Sequence, residues 1–377
     1  MSRRLNKITV LLVGGGTGGH IYPGIALATE FEKCNYIKTM MIITQKEGDI
    51  AIVSKERIEY QTLPFTGMKW NQMWKAFWCS WFIISTRKPS LVIGLGAYVS
   101  FPVVMVAWIR RIPVCIQEQN LLPGLANRVL GRISKRIFLS FERTRNYFPS
   151  SKTMVAGNPI RPIIKLTEKE KKNQLKYLGL SLDRYTILVC GGSLGAHSIN
   201  KAMVDAIDVL KSDTKENLSR VQIIHQTGEK DYGMVRDHYV KNNVLSVVQP
   251  FFFNIMVLYA LCDLIVSRSG AGIVAEVTAM GKPAIVIPYP YAKGNHQKDN
   301  AQAMAENGAA FMIEDRNLTG ESLAEHIMRV LDKPGMINTM GESSKRMGHE
   351  DAAVRIVREC LNLLSVPWEK GFSCSYV

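Results

Sequence analysis

The sequence predicts an α/β protein made of two doubly wound domains with parallel sheets. Short apolar runs rich in β-branched residues alternate with helical patterns, among them ITVLLV, MMIIT and LVIG in the first half and TILVC, VQIIH and LIVS in the second. Continuous apolar runs of this length are typical of parallel strands that helices cover on both faces. In each half, the first strand leads into a glycine loop and then a helix. This internal similarity favours two domains of one architecture.

Length, composition and cysteine usage fit a reduced globular protein of two domains. The chain has 377 residues, of which 47 % are hydrophobic and 21 % charged, and domains average about 100–200 residues. Its seven cysteines include no CxxC pair, so we expect reduced thiols and neither disulfides nor zinc. The apolar run behind the basic N-terminus stops at glycines after the length of one strand, which argues against a signal peptide.

The domain boundary is predicted at the sequence GNPIRP, residues 157–162, where two prolines and a glycine precede a charged helical run. This places one domain at residues 1–161 and a second at residues 162–345. A further amphipathic helix is predicted at residues 349–364, and its periodicity does not assign it to either domain.

The net charge of +15 predicts an anionic partner, which can be nucleic acid, a lipid surface or a phosphorylated substrate. The stretch GMKWNQMWKAFWCSWFIISTRK favours an anionic membrane surface, because aromatic rings flanked by cations suit a bilayer interface. Four tryptophans are therefore candidate membrane residues, with packing on the core as the alternative: Trp70, Trp74, Trp78 and Trp81. No run reaches the roughly 18–20 apolar residues of a membrane span. A nucleic-acid-binding protein is the alternative from another class, but no helix-turn-helix, zinc or RNP signature supports it.

The first glycine loop follows ITVLLV and formally spells GxGxxG with Gly14, Gly16 and Gly19. A glycine loop at a helix N-terminus lets backbone N–H groups approach a phosphate. A dinucleotide site also requires an acidic residue at the end of the second strand. This chain has Thr44 and Gln45 there, which argues against a dehydrogenase.

His20 follows the first loop directly, and its imidazole is a candidate general base or a ligand of a phosphate or hydroxyl group. A capping or packed histidine is the alternative. The other histidines show no HxxxH spacing, and the chain has no DxD pair. We therefore expect neither a metal ion nor a cofactor.

The C-terminal half contains a second set of loops. SRSGAG, residues 267–272, lies between the strand LIVS and a helix that reaches Glu276, and its small residues suit an anion at a helix N-terminus. A carboxylate one turn into this helix can accept two hydrogen bonds from a ribose diol, with a solvent-facing glutamate as the alternative. HQKDN, residues 296–300, adds amide and imidazole groups after the next strand. Such loops at strand carboxyl ends define one cleft.

In its motifs the chain resembles the MurG family of bacterial glycosyltransferases. The motifs occur in the expected order and are GGGTGGHIYPGIALA, GLGAYVSFP, EQNLLPGLANR, GNPIRP, GGSLGA, HQTG, SRSGAGIVAE and HQKDNA. The resemblance implies a GT-B fold, in which two Rossmann-like domains face each other across a cleft. It implies that the C-terminal domain binds UDP-N-acetylglucosamine, that the N-terminal domain binds undecaprenyl-diphosphate-linked lipid I, and that a helix at about 346–377 returns to the N-terminal domain.

The implied reaction is metal-independent, inverting transfer of N-acetylglucosamine to the 4-hydroxyl of the muramoyl sugar, forming lipid II for peptidoglycan at the cytoplasmic face of the inner membrane. The donor residues implied by motif position are Thr17, Gly18, Gly19, Asn120, Arg161, Ser193, Phe252, Arg268, Ser269, Gly270, Ala271, Glu276, Gln297 and Asn300. The implied acceptor residues are Gly15, Gly16, Tyr98 and Glu118. The implied catalytic residues are His20 and Asn120.

Two alternatives keep the same fold. A UDP-sugar glycosyltransferase that acts on diacylglycerol would share the donor half, and a UDP-sugar epimerase would need no acceptor. The strings GGTGGH and EQNLLPG on the acceptor side favour the peptidoglycan enzyme. One departure concerns the donor half: Ile273 stands where many relatives have threonine, which removes a hydroxyl near the phosphates.

Overall fold

A computed structural model of the chain describes residues 8–64, 70–192, 194–213 and 215–366, without the side chains of residues 70, 71, 213, 215, 216 and 293. The strands are β1 (Ile8–Val13), β2 (Ile37–Thr44), β3 (Tyr60–Leu63), β4 (Leu91–Gly94), β5 (Val114–Glu118), β6 (Arg136–Leu139), β7 (Thr153–Val155), β8 (Tyr185–Cys190), β9 (Val221–Gln226), β10 (Ser246–Gln249), β11 (Leu264–Ser267), β12 (Ala284–Val286) and β13 (Ala310–Met312).

The helices cover both halves of the chain. They are α1 (Gly18–Glu32), α2 (Glu47–Lys55), α3 (Trp70–Arg87), α4 (Ala97–Ile109), α5 (Leu125–Ile133), α6 (Glu168–Tyr177), α7 (His197–Asp213), α8 (Lys215–Ser219), α9 (Tyr232–Lys241), α10 (Ile255–Leu261), α11 (Ala271–Ala279), α12 (His296–Glu306), α13 (Gly320–Asp332), α14 (Met336–Met347) and α15 (Ala352–Leu363). Short 3-10 helices lie at Glu142–Tyr147, Ser150–Lys152, Lys293–Asn295 and Asp315–Asn317.

The chain divides into two compact units. Unit 1 comprises residues 1–161 and 349–377, and unit 2 comprises residues 162–348. Unit 1 is therefore discontinuous in sequence, and unit 2 is continuous.

The described residues of unit 1 form a seven-stranded sheet in the order β3-β2-β1-β4-β5-β6-β7, and every pair of neighbouring strands is parallel. The direction of winding reverses between β1 and β4, because β1 pairs with β2 on one side and with β4 on the other. Ligands of doubly wound sheets bind at the carboxyl ends of strands beside such a reversal. The loops after β1 and β4 therefore occupy the position where a site is expected in unit 1.

Helix α15 completes the core of unit 1. Four of its side chains are fully buried and join the cluster around Leu27 and Phe31 of α1: Ile356, Val357, Cys360 and Leu361. An ion pair of 2.5 Å between Arg136 Nε of β6 and Glu359 Oε1 of α15 also links the helix to the sheet. The helix predicted at residues 349–364 is thus present at Ala352–Leu363 and packs within unit 1.

The described part of unit 2 forms a six-stranded parallel sheet in the order β10-β9-β8-β11-β12-β13, with its own core of fully buried aliphatic residues on β8, β9, β11, α7 and α13. Here the winding reverses between β8 and β11. The glycine loop after β8 and the SRSGAG loop after β11 therefore share one end of the sheet. The prediction of two doubly wound α/β domains is confirmed.

Candidate functional site

The first glycine loop joins β1 to α1 at the winding reversal of unit 1. Helix α1 begins at Gly18, and its N-cap Thr17 has extended backbone and makes no side-chain capping bond in the described structure. A helix start without a side-chain cap leaves backbone N–H groups that can bind an anion. The predicted contacts at Thr17, Gly18 and Gly19 therefore lie where a phosphate is bound most readily.

A carboxylate from α2 fixes the first half of this loop. Asp49 is buried, and its Oδ2 accepts hydrogen bonds from the N–H of Gly16 at 2.6 Å and from Thr44 Oγ1 at 2.5 Å. A Cβ atom on Gly15 would lie 2.8 Å from the same oxygen, so only glycine fits there. The N–H of Gly16 is thus hydrogen-bonded within the protein. A bound acceptor substrate would therefore contact other atoms of this loop.

The imidazole of His20 is held by the turn that follows β4. His20 Nδ1 lies 2.9 Å from the carbonyl oxygen of Leu95. A carbonyl only accepts hydrogen bonds, so Nδ1 carries the proton and Nε2 of the neutral ring is the basic atom. The ring is half-buried at the first turn of α1. This geometry suits His20 as a proton acceptor.

Glu118, a predicted acceptor residue, shapes the loop at residues 118–124. Its Oε1 accepts from the N–H and the side-chain amide of Asn120, and its Oε2 accepts from the N–H of Gly124 at 3.1 Å and from Asn127 Nδ2 at 2.9 Å. Burial raises the pKa of Glu118, and these four hydrogen bonds oppose that rise. Because both oxygens are occupied, Glu118 holds Asn120 in place, and Asn120 itself is the more accessible of the two.

Tyr98 and Arg161 are the other predicted residues of unit 1. Burial raises the pKa of Tyr98, and the negative charge of Asp49 raises it further, so its hydroxyl stays protonated. The ring of Tyr98 lies beside the glycine loop, 4.0 Å from the position of a Cβ on Gly16. The guanidinium of Arg161 stacks over the ring of Tyr22 in α1, 4.4 Å from its centroid. Both side chains therefore belong to the surroundings of the first loop.

In unit 2, Gln226 at the end of β9 links two predicted donor loops. Its Nε2 donates to the carbonyl of Gly192 at 2.9 Å, and its Oε1 accepts from the N–H of Phe252 at 2.9 Å. The N–H of Phe252 is therefore hydrogen-bonded to Gln226. The base of a bound nucleotide would contact other backbone atoms of Phe252. The predicted phosphate ligand Ser193 lies outside the described residues.

The SRSGAG loop and the start of α12 are bonded to each other. Ser269 Oγ donates to the carbonyl of Gln297 at 2.8 Å, and Asn300 Nδ2 donates to the carbonyl of Ser269 at 3.2 Å. Helix α11 begins at Ala271 with Gly270 as N-cap, which has no side chain to satisfy the first N–H groups. Glu276 is buried one turn further along α11. The structure thus brings all the predicted residues of the SRSGAG and HQKDN motifs together.

Arg268 is buried where the segments after β11, β12 and β13 meet the start of α7. Its Nη1 lies 2.6 Å from Asp315 Oδ1 and also donates to the carbonyls of Ile287 and Pro288, while Nη2 donates to Ser198 Oγ at 2.9 Å. Its side chain is 9 % exposed. Arg268 therefore ties the loops after β11 and β12 to α7, in addition to carrying positive charge near the predicted phosphate position.

A hydrogen-bond network around the fully buried His225, beside the donor loops, was not predicted from the sequence. His225 lies 2.9 Å from Tyr239 Oη through Nδ1 and 3.0 Å from Asn200 Oδ1 through Nε2. Asn200 Nδ2 in turn donates to the carbonyl of Thr227 and to Asp231 Oδ2, at 2.8 Å each. Burial lowers the pKa of His225 to about 3. This histidine is part of the HQTG motif. Its partners Asn200 and Tyr239 lie on two other segments of the chain, so no local sequence pattern indicated the network.

Helices α3 and α4 present an aromatic surface. Trp74, Trp78 and Phe82 are 59 %, 71 % and 66 % exposed, and Trp81 and Trp108 are also exposed. The Arg110 guanidinium lies over the Trp81 ring, 5.0 Å from its centroid. Trp70 begins α3, and its side chain lies outside the described part. Exposed aromatic residues on one helix are unusual for a helix that only packs on a core.

Charge is distributed unequally between the two units. Residues 1–161 and 349–377 contain 25 Lys and Arg against 12 Asp and Glu, a net charge of +13, whereas residues 162–348 contain 22 against 20, a net charge of +2. Nearly all the positive charge is thus in the unit that carries the aromatic surface. Within the described residues, no helix combines the length and apolar character needed to cross a bilayer, and no group of three or more His, Cys, Asp or Glu could hold a metal ion.

Comparison with known proteins identifies the family. The model of the glycosyltransferase family 28 N-terminal domain matches residues 10–139, and that of the C-terminal domain matches residues 186–356. The UDP-N-acetylglucosamine–N-acetylmuramyl-(pentapeptide) pyrophosphoryl-undecaprenol N-acetylglucosamine transferase of Thermodesulfovibrio yellowstonii is 39 % identical over 366 residues, covering 94 % of this chain and 98 % of the relative. The enzyme of the same name from Myxococcus xanthus is 37 % identical, covering 95 % and 94 %.

Solved structures agree with the GT-B architecture. The crystal structure of Acinetobacter baumannii MurG matches with a TM-score of 0.74 at 24 % identity, covering 94 % of this chain and 99 % of that one. A putative UDP-N-acetylglucosamine 2-epimerase from Listeria monocytogenes matches with a TM-score of 0.69 at 15 % identity, covering 95 % and 97 %, a level that shows the shared fold alone. On the sequence matches, the chain belongs to the MurG family of glycosyltransferase family 28.

Proposed function

We propose that the enzyme transfers N-acetylglucosamine from UDP-N-acetylglucosamine to the 4-hydroxyl of the muramoyl sugar of undecaprenyl-diphosphate-linked lipid I, forming lipid II. The observation that carries this proposal is the 36–39 % identity, over nearly the whole chain, to transferases of that name. The acceptor-side motifs GGTGGH and EQNLLPG support lipid I over diacylglycerol as the acceptor.

Unit 2 is the proposed donor half. The N-termini of α7 and α11 follow the two loops beside the winding reversal, and the dipole and N–H groups of a helix N-terminus attract a diphosphate. Glu276 would accept hydrogen bonds from the ribose hydroxyls, while Gln297 and Asn300 would contact the phosphates or the sugar. The bonds that link Ser269 to Gln297 and Asn300 support this arrangement, because they hold the SRSGAG loop against the start of α12 before any ligand binds.

Unit 1 is the proposed acceptor half. Gly15, Gly16 and Tyr98 would bind the acceptor, and His20 would act as the general base through Nε2. Thr17, Gly18, Gly19 and Asn120 of the same unit would contact the donor. In the proposed step, the acceptor oxygen attacks the anomeric carbon from the face opposite UDP and forms the new glycosidic bond. The bond from that carbon to the β-phosphate oxygen breaks, and UDP leaves with its electron pair. The hydroxyl proton passes to His20, and the configuration at the anomeric carbon is inverted.

This displacement is tested with labelled UDP-N-acetylglucosamine and three acceptor conditions: a lipid I analogue, diacylglycerol, or none. We expect label only on the lipid I analogue, in the anomeric configuration opposite to that of the donor, and the same turnover after treatment with EDTA. Sugar on diacylglycerol alone, or an altered free sugar without acceptor, would exclude the proposal. Loss of turnover with EDTA would exclude a mechanism in which helix N-termini and arginine alone stabilise UDP.

We further propose that α3 and α4 contact an anionic membrane surface on the side where lipid I is presented, the cytoplasmic face of the inner membrane. Exposed aromatic rings insert at the headgroup level of a bilayer. Each basic residue near anionic lipid contributes about 1 kcal/mol to the free energy of binding. The exposed Trp74, Trp78 and Phe82 and the charge of +13 in the same unit support this contact.

Vesicle flotation tests the membrane contact. We expect binding to vesicles with anionic phospholipid, weaker binding at high salt, and little retention on single-stranded nucleic acid at moderate salt. The double variant Trp78→Ala/Phe82→Ala should float less, whereas Tyr177→Ala, which removes an 86 % exposed ring from unit 2, should float like the wild type. Equal loss in both variants, or equal binding to neutral vesicles, would contradict an interface at α3.

A further inference from the structure

We propose that Gln119 is a positioning residue that fixes the proton of His20 on Nδ1 by sharing the carbonyl oxygen of Leu95. The inference rests on the proposed function only in giving His20 the role of base. Gln119 is the middle residue of the EQN motif, between the predicted site residues Glu118 and Asn120.

Two side chains donate to one carbonyl oxygen. His20 Nδ1 lies 2.9 Å and Gln119 Nε2 lies 2.5 Å from the oxygen of Leu95. A carbonyl oxygen has two lone pairs, and here each has a donor. The N–H of Leu95, which belongs to the preceding peptide unit, is bound to the carbonyl of Val13 at 2.7 Å, so the residue is also anchored to β1. The two donors on the carbonyl oxygen and this anchor oppose a rotation of the carbonyl away from the imidazole.

Gly96 lets the amide and the ring approach this carbonyl together. Its φ of +93° belongs to the left-handed region, which favours glycine. A Cβ at this position would lie 3.0 Å from both Cε1 and Nδ1 of His20 and 3.3 Å from Gln119 Oε1. The ring edge and the amide oxygen are thus neighbours across Gly96. The partial negative charge of that oxygen would favour the imidazolium that forms when Nε2 takes a proton.

The burial of Gln119 indicates that its amide is needed there. The side chain is 1 % exposed, and Oε1 has no hydrogen-bond partner among the described residues. An unpaired buried oxygen is unfavourable, and an apolar side chain of the same shape would avoid it. The bond from Nε2 to Leu95 is the contact that an apolar side chain could not make. Through it, Gln119 sets which nitrogen of His20 is basic, a role that a second group commonly performs for histidines.

The test measures the tautomer of His20 directly. In protein labelled with 15N-histidine, the His20 ring signals are identified by their absence in His20→Asn. We expect the wild type above neutral pH to show a protonated Nδ1 and an unprotonated Nε2. In Gln119→Met, which keeps the shape and removes the amide, we expect a mixture of both tautomers, a fall in kcat of about tenfold or more, and a KM for UDP-N-acetylglucosamine within about twofold of the wild type.

Gln117→Met is the matched control. Gln117 is equally buried two residues earlier in β5, but its Nε2 donates to Asn158 Oδ1 at 3.1 Å. This variant should keep the wild-type ring signals of His20. A wild-type His20 protonated on Nε2 would overturn the inference whether or not the variants fold, and so would a folded Gln119→Met with wild-type signals and kcat. Failure of the wild type to modify lipid I would refute the proposed function, while the ring signals would still decide the role of Gln119.

Discussion

Acidification should destabilise unit 2 through His225. This histidine is fully buried, and removal from water lowers its pKa from 6.5 to about 3, although the negative charge of Asp231 acts in the opposite direction. Between these two pH values the unfolded chain binds a proton that the folded chain excludes, so the stability due to the neutral ring is fully present above pH 6.5 and falls as the pH falls. Each pH unit corresponds to about 1.4 kcal/mol, which gives about 5 kcal/mol over the whole interval.

The difference between wild type and His225→Gln isolates this contribution from that of other titrating groups. Glutamine can donate to Asn200 and accept from Tyr239, but it does not titrate. From pH 6.5 to pH 4.5, the wild type should lose about 2 kcal/mol more of unfolding free energy than the variant.

Two spectroscopic probes separate the units in this experiment. All six tryptophans fall in the residue ranges of unit 1, so their fluorescence follows unit 1, while far-UV circular dichroism follows both units. Urea unfolding should therefore show the His225 effect in dichroism and not in fluorescence. Parallel losses of stability in the wild type and His225→Gln would refute the reasoning, since the buried ring would then exclude no proton.

Further predictions concern the first glycine loop and the SRSGAG loop. Asp49→Ala removes two hydrogen bonds to a buried carboxylate, worth about 1.5–3 kcal/mol each, and should lower the unfolding free energy of unit 1 in urea by about 3–6 kcal/mol. Glu47→Ala, which removes an exposed carboxylate from the same helix, should change it by less than about 0.5 kcal/mol, and similar effects of the two would contradict the role given to Asp49. Glu276→Ala should raise the KM for UDP-N-acetylglucosamine about ten- to hundredfold, and an unchanged KM would remove Glu276 from the donor site. His20→Asn should lower kcat by about 10²–10⁴-fold, and normal turnover would leave His20 a structural role.

The central strands could be predicted from the sequence, and the edge strands could not. The runs ITVLLV, LVIG and LIVS coincide with β1, β4 and β11, because central strands are covered on both faces and are apolar without interruption. The strands β3, β7, β10 and β13 lie at sheet edges, where most of their residues are only half-buried. Their sequences, YQTL, TMV, SVVQ and AFM, are only three or four residues long, so the local pattern was insufficient to identify them.

The same limit applies to the candidate site. Glycine loops and the residues beside them are consecutive in sequence, and motif spacing located them. The carboxylate that contacts the first glycine loop was not predicted, because it belongs to Asp49 in the first turn of α2, 33 residues from Gly16 in sequence. Gln119 and His225 were missed for a similar reason. Their partners are 24 and 25 residues away in sequence, and only the folded sheet brings them together.

The discontinuity of unit 1 has a consequence for synthesis on the ribosome. Residues 162–348 can fold as soon as they emerge, whereas the hydrophobic core around Leu27 and Phe31 waits for α15, which is translated after the whole of unit 2. A nascent or prematurely terminated chain would therefore expose the apolar side of α1 while its second unit is already folded, and quality-control proteases and chaperones would encounter the N-terminal half first.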